Sequence, residues 1–333
     1  MKPAVLTLFI GQVFLSFAGA PQGALTQRVE ANIDAMGSTY SVVVYGDDEA
    51  RLRAAVEDAS EEARRLDHLL SNYIPASEWS QVNRDAAARP VRVSTELFQL
   101  LAACVEYSRE SDGAFDITVG PLMKVWGFYK GSGRLPHRAE VRGAMAHVGY
   151  RNILLDAKTN SVRFAGDGVE IDPGGIGKGY AVDKMVEILK QDGITSALVS
   201  ASGSSIYGIG APPNQPGWKI KIRDPKDASK VAAEVLLHDN SLSTSGNYEK
   251  FFFAEGKMYS HIMDPRTGYP SEGMLAVSVV SPRTIDSEAW CKPYYIRGRA
   301  WAAQHKKPEF RVFLCEDQPH TNVTGSDKCA WLQ

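Results

Sequence analysis

The stretch from Glu170 to Gly193, EIDPGGIGKGYAVDKMVEILKQDG, constrains this chain more than any other. An apolar run with an acidic residue precedes closely spaced glycines, after which apolar residues recur at helical spacing. Glycines let a backbone approach a ligand closely, and the free N–H groups at a helix start favour an anion. Lys178 adds a positive charge beside those amides. The stretch therefore predicts a strand over residues 169–172, a glycine turn and a helix start that hold a phosphate-bearing ligand.

The glycine spacing has a second interpretation. It matches neither the P-loop nor the GxGxxG dinucleotide fingerprint, so neither of those folds is indicated. Glycines also form turns and end helices for purely structural reasons, which is the alternative. A net charge of -2 over 333 residues leaves no basic excess, and this argues against a nucleic-acid partner held through phosphate contacts.

The first 20 residues differ in kind from the rest. Lys2 precedes an apolar run from Ala4 to Phe17, and small residues follow that run. This order is typical of a secretory signal peptide, and the run is shorter than the ~20 residues that a membrane-spanning helix needs. We therefore predict a signal peptide over residues 1–20 and an exported, periplasmic protein, with a membrane anchor as the alternative.

Export to an oxidising compartment would allow the cysteines to form a disulfide. Cys104 lies on the apolar stripe of a predicted helix and is expected to be a buried small residue. Cys315 and Cys329 flank a polar loop and could be bridged in an oxidising compartment, although spacing alone does not fix the pairing. No CxxC or His/Cys cluster indicates a zinc site.

Apolar spacing divides the rest of the chain into strands and helices. Residues 31–46 alternate as a strand does, residues 47–70 carry a helical apolar stripe, and Ser94 is placed to cap a helix over residues 95–111. Short strands broken by occasional helices follow, with few regular strand–helix–strand units. This pattern predicts an α+β fold built on antiparallel sheets.

Two irregular segments carry residues suited to a bound ring. The polar loop LSNYIPASE holds Tyr73, which either stacks on a flat ligand or is an ordinary half-buried tyrosine. Residues 112–129 have no regular period and are too apolar for disorder, which is typical of a functional loop. Asp116 in that loop either accepts a hydrogen bond from a bound ring or caps its own turn.

Dispersed motifs carry a family resemblance. They are Met36, Gly37 and Tyr40, then LSNYIPASE, GAFDITVGP, IDPGGIGKGYAVD, STSGNYEKFF and YSHIMDPRTGYP. Their order and spacing resemble those of the ApbE family, the FAD:protein FMN transferases. The resemblance implies a T-fold-like α+β architecture of antiparallel sheets flanked by helices, which we place over residues 31–315, with a polar tail over 316–333. It also implies export, FAD as substrate, dependence on Mg²⁺ and covalent flavinylation of other proteins.

The same resemblance assigns site residues one by one. The positions that would contact the flavin nucleotide are Met36, Tyr73, Ala114, Phe115, Asp116, Asp172, Lys178 and Met263. The carbonyl of Gly175 matches a position that helps hold the metal. His261 lies in YSHIMDP, which looks like the family's catalytic segment.

The implied reaction sets two chemical needs. Moving FMN from FAD to a threonine hydroxyl breaks the pyrophosphate and releases AMP. The charge of the phosphates must be neutralised, and the weak hydroxyl must lose its proton. Mg²⁺ meets the first need through oxygen ligands. His261 is the predicted base because a neutral imidazole accepts a proton near neutral pH, although a lone histidine often only hydrogen-bonds a turn.

The chain departs from the family pattern at the metal. Family members place an aspartate and, further on, a threonine on the metal, whereas the corresponding residues here are Glu288 and Lys292. Glu288 could still ligate Mg²⁺, but a charged lysine cannot. Lys292 therefore either replaces part of the metal's charge or leaves an impaired site. Asp286 is a substitute ligand if the register slips by two residues, but it is expected to be a plain surface acid. Pro293 is expected to disrupt the helix here.

These inferences lead to one expected function with two alternatives. The expected protein is an exported transferase that moves FMN from FAD to a threonine of an acceptor protein, and that meets membranes only through such acceptors. The alternatives are an FAD pyrophosphatase that gives FMN and AMP, and a non-catalytic FAD-binding protein with a degenerate metal site. Tyr73 favours transfer, because a tyrosine at this position resembles the transferase members.

Overall fold

The computed structural model describes residues 26–131, 133–317 and 329–333. The predicted signal peptide lies outside them. Across the described ranges, no helix is both long and apolar enough to cross a membrane. The α-helices are α1 (Glu49–Leu70), α2 (Glu78–Asp85), α3 (Thr95–Glu110), α4 (Gly120–Val125), α5 (Arg138–Met145), α6 (Gly177–Gln191) and α7 (Thr284–His305).

Antiparallel strands build one large sheet and several small ones. The strands are β1 (Gln27–Ala35), β2 (Ser38–Gly46), β3 (Val91–Arg92), β4 (Ile153–Asp156), β5 (Ser161–Phe164), β6 (Ala197–Ala201), β7 (Ser205–Ile209), β8 (Trp218–Arg223), β9 (Val231–Leu237), β10 (Asn240–Gly246), β11 (Phe251–Ala254), β12 (Lys257–Ser260), β13 (Met263–Asp264), β14 (Tyr269–Pro270), β15 (Met274–Ser281), β16 (Arg311–Glu316) and β17 (Cys329–Trp331). The large sheet has the order β1-β2-β6-β7-β10-β15-β16-β17, and its neighbours all pair antiparallel. The predicted α+β class is confirmed.

Three helices cover one face of the large sheet and bury its apolar side. α1 packs on β1 and β2, α6 on β6 and β7, and α7 on β10 and β15. The apolar stripe predicted for α1 is buried, as are Val182 and Met185 of α6 and Ala289 of α7. Burial of each large aliphatic side chain contributes about 1.5–3 kcal/mol. The helix-covered sheet is therefore the framework on which the glycine turn before α6 is held.

A carboxylate of each of the helices α6 and α7 also caps the first turn of the other. Asp183 of α6 accepts hydrogen bonds from the backbone N–H groups of Thr284 and Ile285 at 2.7 and 2.9 Å. Glu288 of α7 accepts one from the backbone N–H of Gly179. Neither helix start has a capping side chain of its own. A carboxylate at a helix start stabilises by about 0.5–2 kcal/mol, so this reciprocal pair fixes the two helices against each other.

The prediction of one strand over residues 31–46 is wrong, because the chain folds back on itself there. β1 and β2 form a hairpin in which Ala35 pairs with Ser38. The two turn residues, Met36 and Gly37, have φ angles of 53° and 65°. A two-residue turn with both angles positive matches the twist of a hairpin, and it leaves the apolar alternation unbroken. The sequence pattern therefore concealed the turn.

The predicted strand over residues 169–172 is also wrong. Side chains take the place of a neighbouring strand there: the side-chain amide of Asn83 accepts from the N–H of Ile171 at 2.8 Å and donates to its carbonyl at 2.9 Å. The indole of Trp79 donates to the same carbonyl at 3.1 Å. The extended segment is thus satisfied without sheet pairing, which apolar content alone could not reveal.

Helix boundaries were predicted with mixed success. The helix over 95–111 is confirmed as α3, and the Ser94 hydroxyl caps it by accepting from the N–H of Leu97 at 3.2 Å. Pro293 does not end α7, which continues to a break at Gly298. The aromatic side chains on either side of this proline, Trp290 and Tyr294, are buried. Their packing offsets the cost of about 3 kcal/mol that an interior proline carries.

The cysteines and the C-terminus add a covalent tie. Cys315 and Cys329, whose pairing was open, form a disulfide and face each other across β16 and β17. Residues 316–333 were predicted as a polar tail, yet the last of them form β17 on the edge of the large sheet; residues 318–328 lie outside the described ranges. Cys104 is buried, as predicted.

Candidate active site

Asp172 holds the glycine turn in shape. Its Oδ1 accepts from the N–H of Gly174 at 2.8 Å, and its Oδ2 accepts from the Tyr129 hydroxyl at 2.6 Å and the Asn72 amide at 3.0 Å. Burial raises the pKa of Asp172 above its ordinary value, and these hydrogen bonds oppose that rise. A residue predicted to touch the nucleotide is thus also the cap of the turn.

Two glycines of the turn make room for other segments. A Cβ on Gly177 would lie 2.8 Å from Cε of Met36, a distance that real atoms do not adopt. A Cβ on Gly175 would lie 3.5 Å from the Phe115 ring and 3.7 Å from Cε of Lys292. The turn therefore gathers three residues predicted for the site, Met36, Phe115 and Gly175, and places Lys292 beside them.

Gly179 sets the distance between α6 and α7. A Cβ there would lie 2.6 Å from the carbonyl oxygen of Thr284 and 2.9 Å from Oε2 of Glu288, so no side chain fits. The close approach brings Glu288, whose side chain is 3% exposed, against the first turn of α6. The structural interpretation of the glycines is therefore correct for Gly177 and Gly179, and the ligand role of the turn stays a prediction.

Lys292 lies one helical turn beyond Glu288. Its Nζ donates to the carbonyl oxygen of Glu288 at 3.0 Å and lies 3.8 Å from Oε1 of the Glu288 carboxylate. The other carboxylate oxygen, Oε2, accepts from the N–H of Gly179. Both oxygens of Glu288 thus already face a donor or a cation.

Two further lysines bring unneutralised charge to this end of α6. Lys178 is half-buried, and its Nζ donates to the hydroxyl of Ser204 at 2.5 Å. Lys250 is exposed on the segment before β11. Within the described ranges, neither ammonium has a carboxylate oxygen within 4.0 Å. Both are therefore free to neutralise an anionic ligand.

His261 follows β12 and is tied to the segment that carries Lys250. Its backbone N–H donates to the carbonyl oxygen of Lys250 at 3.0 Å, and its ring Nδ1 lies 3.1 Å from the same oxygen. A carbonyl oxygen only accepts, so the neutral ring carries its proton on Nδ1. Nε2 is then left with the lone pair that a base requires.

The surroundings of His261 keep the ring neutral. Burial lowers its pKa to about 4, and the charges of Lys250, Lys292 and Lys178 act in the same direction. The hydrogen bond to Lys250 opposes the shift. Because three separate segments bring their ammonium groups close enough to act on one imidazole, we call Lys178, Lys250 and Lys292 the lysine cluster.

Asp116 is committed to its own loop. Oδ1 accepts from the N–H and the hydroxyl of Thr118 at 2.8 and 2.6 Å, and Oδ2 accepts from the N–H of Tyr150 at 2.7 Å. Burial raises the pKa of this carboxyl group. The turn-capping alternative for Asp116 is therefore correct, and its predicted contact with a nucleotide stays a prediction.

The remaining predicted contacts differ in exposure. Met263 and Ala114 are buried, and Met263 belongs to an apolar cluster around Trp126. Tyr73 is 72% exposed, rather than half-buried, and its ring meets that of Tyr129 edge to face at a centroid distance of 6.5 Å. Tyr73 thus offers a free aromatic face beside a partner of Asp172, whereas the nucleotide contacts of the buried Met263 and Ala114 stay predictions.

Several residues of this region were not singled out from the sequence. Lys250 lies in the STSGNYEKFF motif, but nothing in that motif marks its charge as facing His261. Asn72, Tyr129 and Ser204 are polar residues without a distinctive spacing. Two surface clefts of about 430 and 570 Å³ include Asp116 and Met36, respectively, and the lysine cluster lines neither.

The residues present do not fit a divalent metal. One oxygen of Glu288 accepts from the N–H of Gly179, the other faces the Lys292 ammonium at 3.8 Å, and this ammonium replaces the threonine oxygen expected at the second position. Asp286, expected to be a plain surface acid, instead accepts from the Tyr107 hydroxyl and pairs with Arg283, so it is no substitute ligand. Across the described ranges, no group of three or more His, Cys, Asp or Glu side chains could hold a metal ion.

The antiparallel α+β fold and the lysines beside its glycine turn make this molecule a candidate enzyme for a phosphate-bearing substrate. Within that class the chain belongs to the ApbE family, whose model matches residues 36–313. The resemblance on which the site residues were assigned is thereby confirmed at the level of the family.

Relatives and solved structures agree with this assignment. The FAD:protein FMN transferase of Klebsiella pneumoniae (strain 342) is 32% identical over 259 residues, which cover 77% of this chain and 78% of the relative. That of Escherichia coli (strain K12) is 29% identical, over 81% and 79%. The crystal structure of the ApbE protein from Thermotoga maritima has a TM-score of 0.80 at 31% identity, covering 87% and 94%. The apo form of the Pseudomonas stutzeri flavinyl transferase ApbE has a TM-score of 0.77 at 29% identity, covering 88% and 92%.

Proposed function

We propose that this chain transfers FMN from FAD to a hydroxyl group of an acceptor protein and releases AMP. The relatives that it resembles over most of its length are named for this reaction. The observation that carries the proposal is the ring of His261, whose Nδ1 lies 3.1 Å from the Lys250 carbonyl oxygen and whose Nε2 is thereby left to accept a proton, together with Lys292 beside the glycine turn. A base and a cationic phosphate site are the two parts that this reaction requires.

The transfer follows from these groups in one displacement. The acceptor hydroxyl gives its proton to Nε2 of His261, and its oxygen forms a bond to the phosphorus atom of the FMN half. The bond from that phosphorus to the bridging oxygen breaks, and its electron pair leaves with AMP. Lys178 and Lys250 offset the negative charge that gathers on the phosphates. We take the acceptor residue to be a threonine, as the resemblance implies.

The flavin end of the substrate is assigned to the loop around Tyr73. This side chain exposes its ring next to Tyr129, and a flat isoalloxazine ring stacks well on such a surface. Asp172 connects this surface to the glycine turn. It accepts hydrogen bonds from Tyr129 and Asn72 on one side and from the N–H of Gly174 on the other. The proposed site thus runs from an aromatic face to the lysine cluster.

Magnesium is part of the family expectation, but the donor set argues against it here. When bound, Mg²⁺ would neutralise phosphate charge through oxygen ligands. Glu288 and Lys292 offer no free pair of oxygens for this purpose. We therefore derive no step of the reaction through a metal.

A second proposal concerns location. We propose that the chain is exported, on the basis of the signal-like order of residues 1–20 and of the Cys315–Cys329 disulfide, which an oxidising compartment favours. Fractionation of cells that express the full chain tests it. Recovery of a shortened, disulfide-bonded protein from the periplasm supports export, and an uncleaved reduced protein in the cytoplasm contradicts it.

The main experiment is incubation of the protein with FAD and a threonine-bearing acceptor peptide. The expected result is a peptide heavier by the mass of the attached FMN, with AMP released in equal amount. AMP without modified peptide indicates FAD hydrolysis, in which water replaces the hydroxyl. Bound FAD without AMP indicates a carrier, and either result overturns the proposed transfer.

A further inference from the structure

The lysine cluster places more cations than carboxylates around the proposed diphosphate position. Lys178, Lys250 and Lys292 all act electrostatically on His261. The carboxylates that face them are Glu288, beside Lys292, and Asp172, whose pKa the charge of Lys250 lowers. An anionic ligand therefore meets a net positive surrounding that the chain itself supplies.

Lys292 occupies the place where a metal would otherwise be expected. The positions that the family resemblance assigns to the metal are the carbonyl of Gly175, residue 288 and residue 292. Cε of Lys292 lies 3.7 Å from where a Cβ added to Gly175 would be. Its Nζ lies 3.8 Å from Oε1 of Glu288. Residues 175, 288 and 292 are thus neighbours in the fold, with the Lys292 side chain beside the other two.

Contacts within the protein fix the position of the Lys292 ammonium group. Nζ donates to the carbonyl of Glu288 at 3.0 Å, and the lysine side chain is only 21% exposed. Glu288 is fixed in turn by the N–H of Gly179, where no side chain would fit. An ammonium group has three protons, so Nζ keeps donors for a phosphate oxygen after these contacts are made.

We propose that Lys292, positioned by Glu288, supplies the positive charge that a divalent metal would supply at the FAD diphosphate, so that this chain needs no divalent cation. The inference rests on the proposed function, in which FMN leaves FAD for an acceptor hydroxyl. The bonds formed and broken are those of that displacement. Lys292 stabilises the phosphate charge and takes no proton.

The first test measures FAD binding by titration calorimetry with the full chain, once in EDTA and once in millimolar MgCl₂. The dissociation constants agree within roughly twofold if Lys292 replaces the metal. AMP release from FAD, with a threonine-bearing peptide present, likewise persists in EDTA. A requirement for Mg²⁺ in both measurements overturns the inference and leaves the proposed transfer intact. Absence of FAD binding under both conditions contradicts the proposed function itself.

Variants at residue 292 separate charge from packing. Lys292→Met keeps the length of the side chain and weakens FAD affinity in EDTA by roughly tenfold, as expected for a lost charge-assisted hydrogen bond. Lys292→Arg keeps the charge and recovers part of that affinity. Lys184→Met on α6, where the partly exposed lysine pairs with Glu187 and lies over the Tyr180 ring, is the matched control and leaves affinity unchanged.

The double variant Glu288→Asp, Lys292→Thr restores the residue types that the family resemblance assigns to the metal. We expect its FAD affinity to be low in EDTA and to rise at least severalfold with MgCl₂, a dependence absent from the wild type. If Lys292→Met and the wild type bind FAD equally well in EDTA while both remain folded by circular dichroism, the lysine is not the replacement cation and the inference is wrong.

Discussion

The first turns of α6 and α7 use the same device to different ends. Each receives a carboxylate from the other helix, Asp183 for α7 and Glu288 for α6. Asp183 uses both oxygens on two backbone N–H groups. Glu288 uses one oxygen on Gly179 and turns the other toward Lys292.

This difference separates support from function within one helix pair. At the start of α7 both oxygens of Asp183 accept from backbone N–H groups, so the contact only stabilises. At the start of α6 the same type of contact ends on a cation, and two more lysines lie nearby without carboxylate partners in the described ranges. The packed first turn of α6 can therefore position charge for a ligand, whereas the first turn of α7 only stabilises the fold.

The largest expected effect is on catalysis at the α6 side. His261→Ala removes the proposed base, and the rate of AMP release should fall about 10²–10⁴-fold with FAD affinity nearly unchanged. Stopped assays of AMP and calorimetry of FAD binding measure the two quantities. His238→Ala, which changes an exposed histidine beside Asp239, is the control. Near-wild-type turnover in His261→Ala would refute the assignment of the base.

The next effect concerns the spacing that both helix starts share. Gly179→Ala places a Cβ 2.6 Å from the carbonyl oxygen of Thr284 and should lower the free energy of unfolding by about 1–3 kcal/mol. Gly143→Ala is the matched control, because Gly143 lies within α5 with no atom within 4 Å of the added Cβ. It should be neutral or stabilising by up to about 1 kcal/mol. Urea denaturation of both variants compares them, and equal stabilities would show that the helices can move apart freely.

A smaller effect tests the purely structural side. Asp183→Ala removes two hydrogen bonds to the first turn of α7 and should cost about 0.5–2 kcal/mol of stability. The FAD affinity of the folded fraction should stay at the wild-type value, because no ligand group is involved. A large loss of affinity without loss of stability would mean that the start of α7 also serves the ligand.

The smallest expected effect is a shift in the pH dependence of kcat/KM. The base works only when neutral, so activity is present above its pKa and is lost as pH falls through it. Burial and the lysine cluster lower the pKa of His261 from 6.5 to about 4, so kcat/KM should stay flat down to about pH 5. Lys292→Met should move the acid limb upward, because it removes one of the opposing charges. An acid limb near 6.5 in the wild type would contradict the described surroundings of His261.

The sequence predicted most elements whose signal is local. The long stripe of α1 and the Ser94 cap of α3 depend on neighbouring residues, and both were found where the pattern placed them. Contacts between distant segments overturned other predictions. Ile171 is paired by Asn83 and Trp79 rather than by a strand, and no spacing near residue 171 announces partners so far away.

The candidate site shows the same division. Its glycine turn and His261 were recognised from motifs, and the substitutions at Glu288 and Lys292 were evident from comparison with the family pattern. The sequence left open whether Lys292 repairs or disables the site, because the answer depends on which oxygen of Glu288 is free. The structure shows that Oε2 accepts from the N–H of Gly179 and that Oε1 faces the Lys292 ammonium at 3.8 Å.

The disulfide between β16 and β17 has a consequence for solubility. β17 has three residues and forms the edge of the large sheet, where it covers part of β16, a strand whose side chains are mostly buried. Reduction of Cys315 and Cys329 would leave this short strand held, within the described ranges, only by its pairing with β16 and by the packing of Trp331 against Phe313 and Arg311. An uncovered edge invites pairing with a second molecule, so chains produced in a reducing compartment should aggregate more readily than oxidised ones.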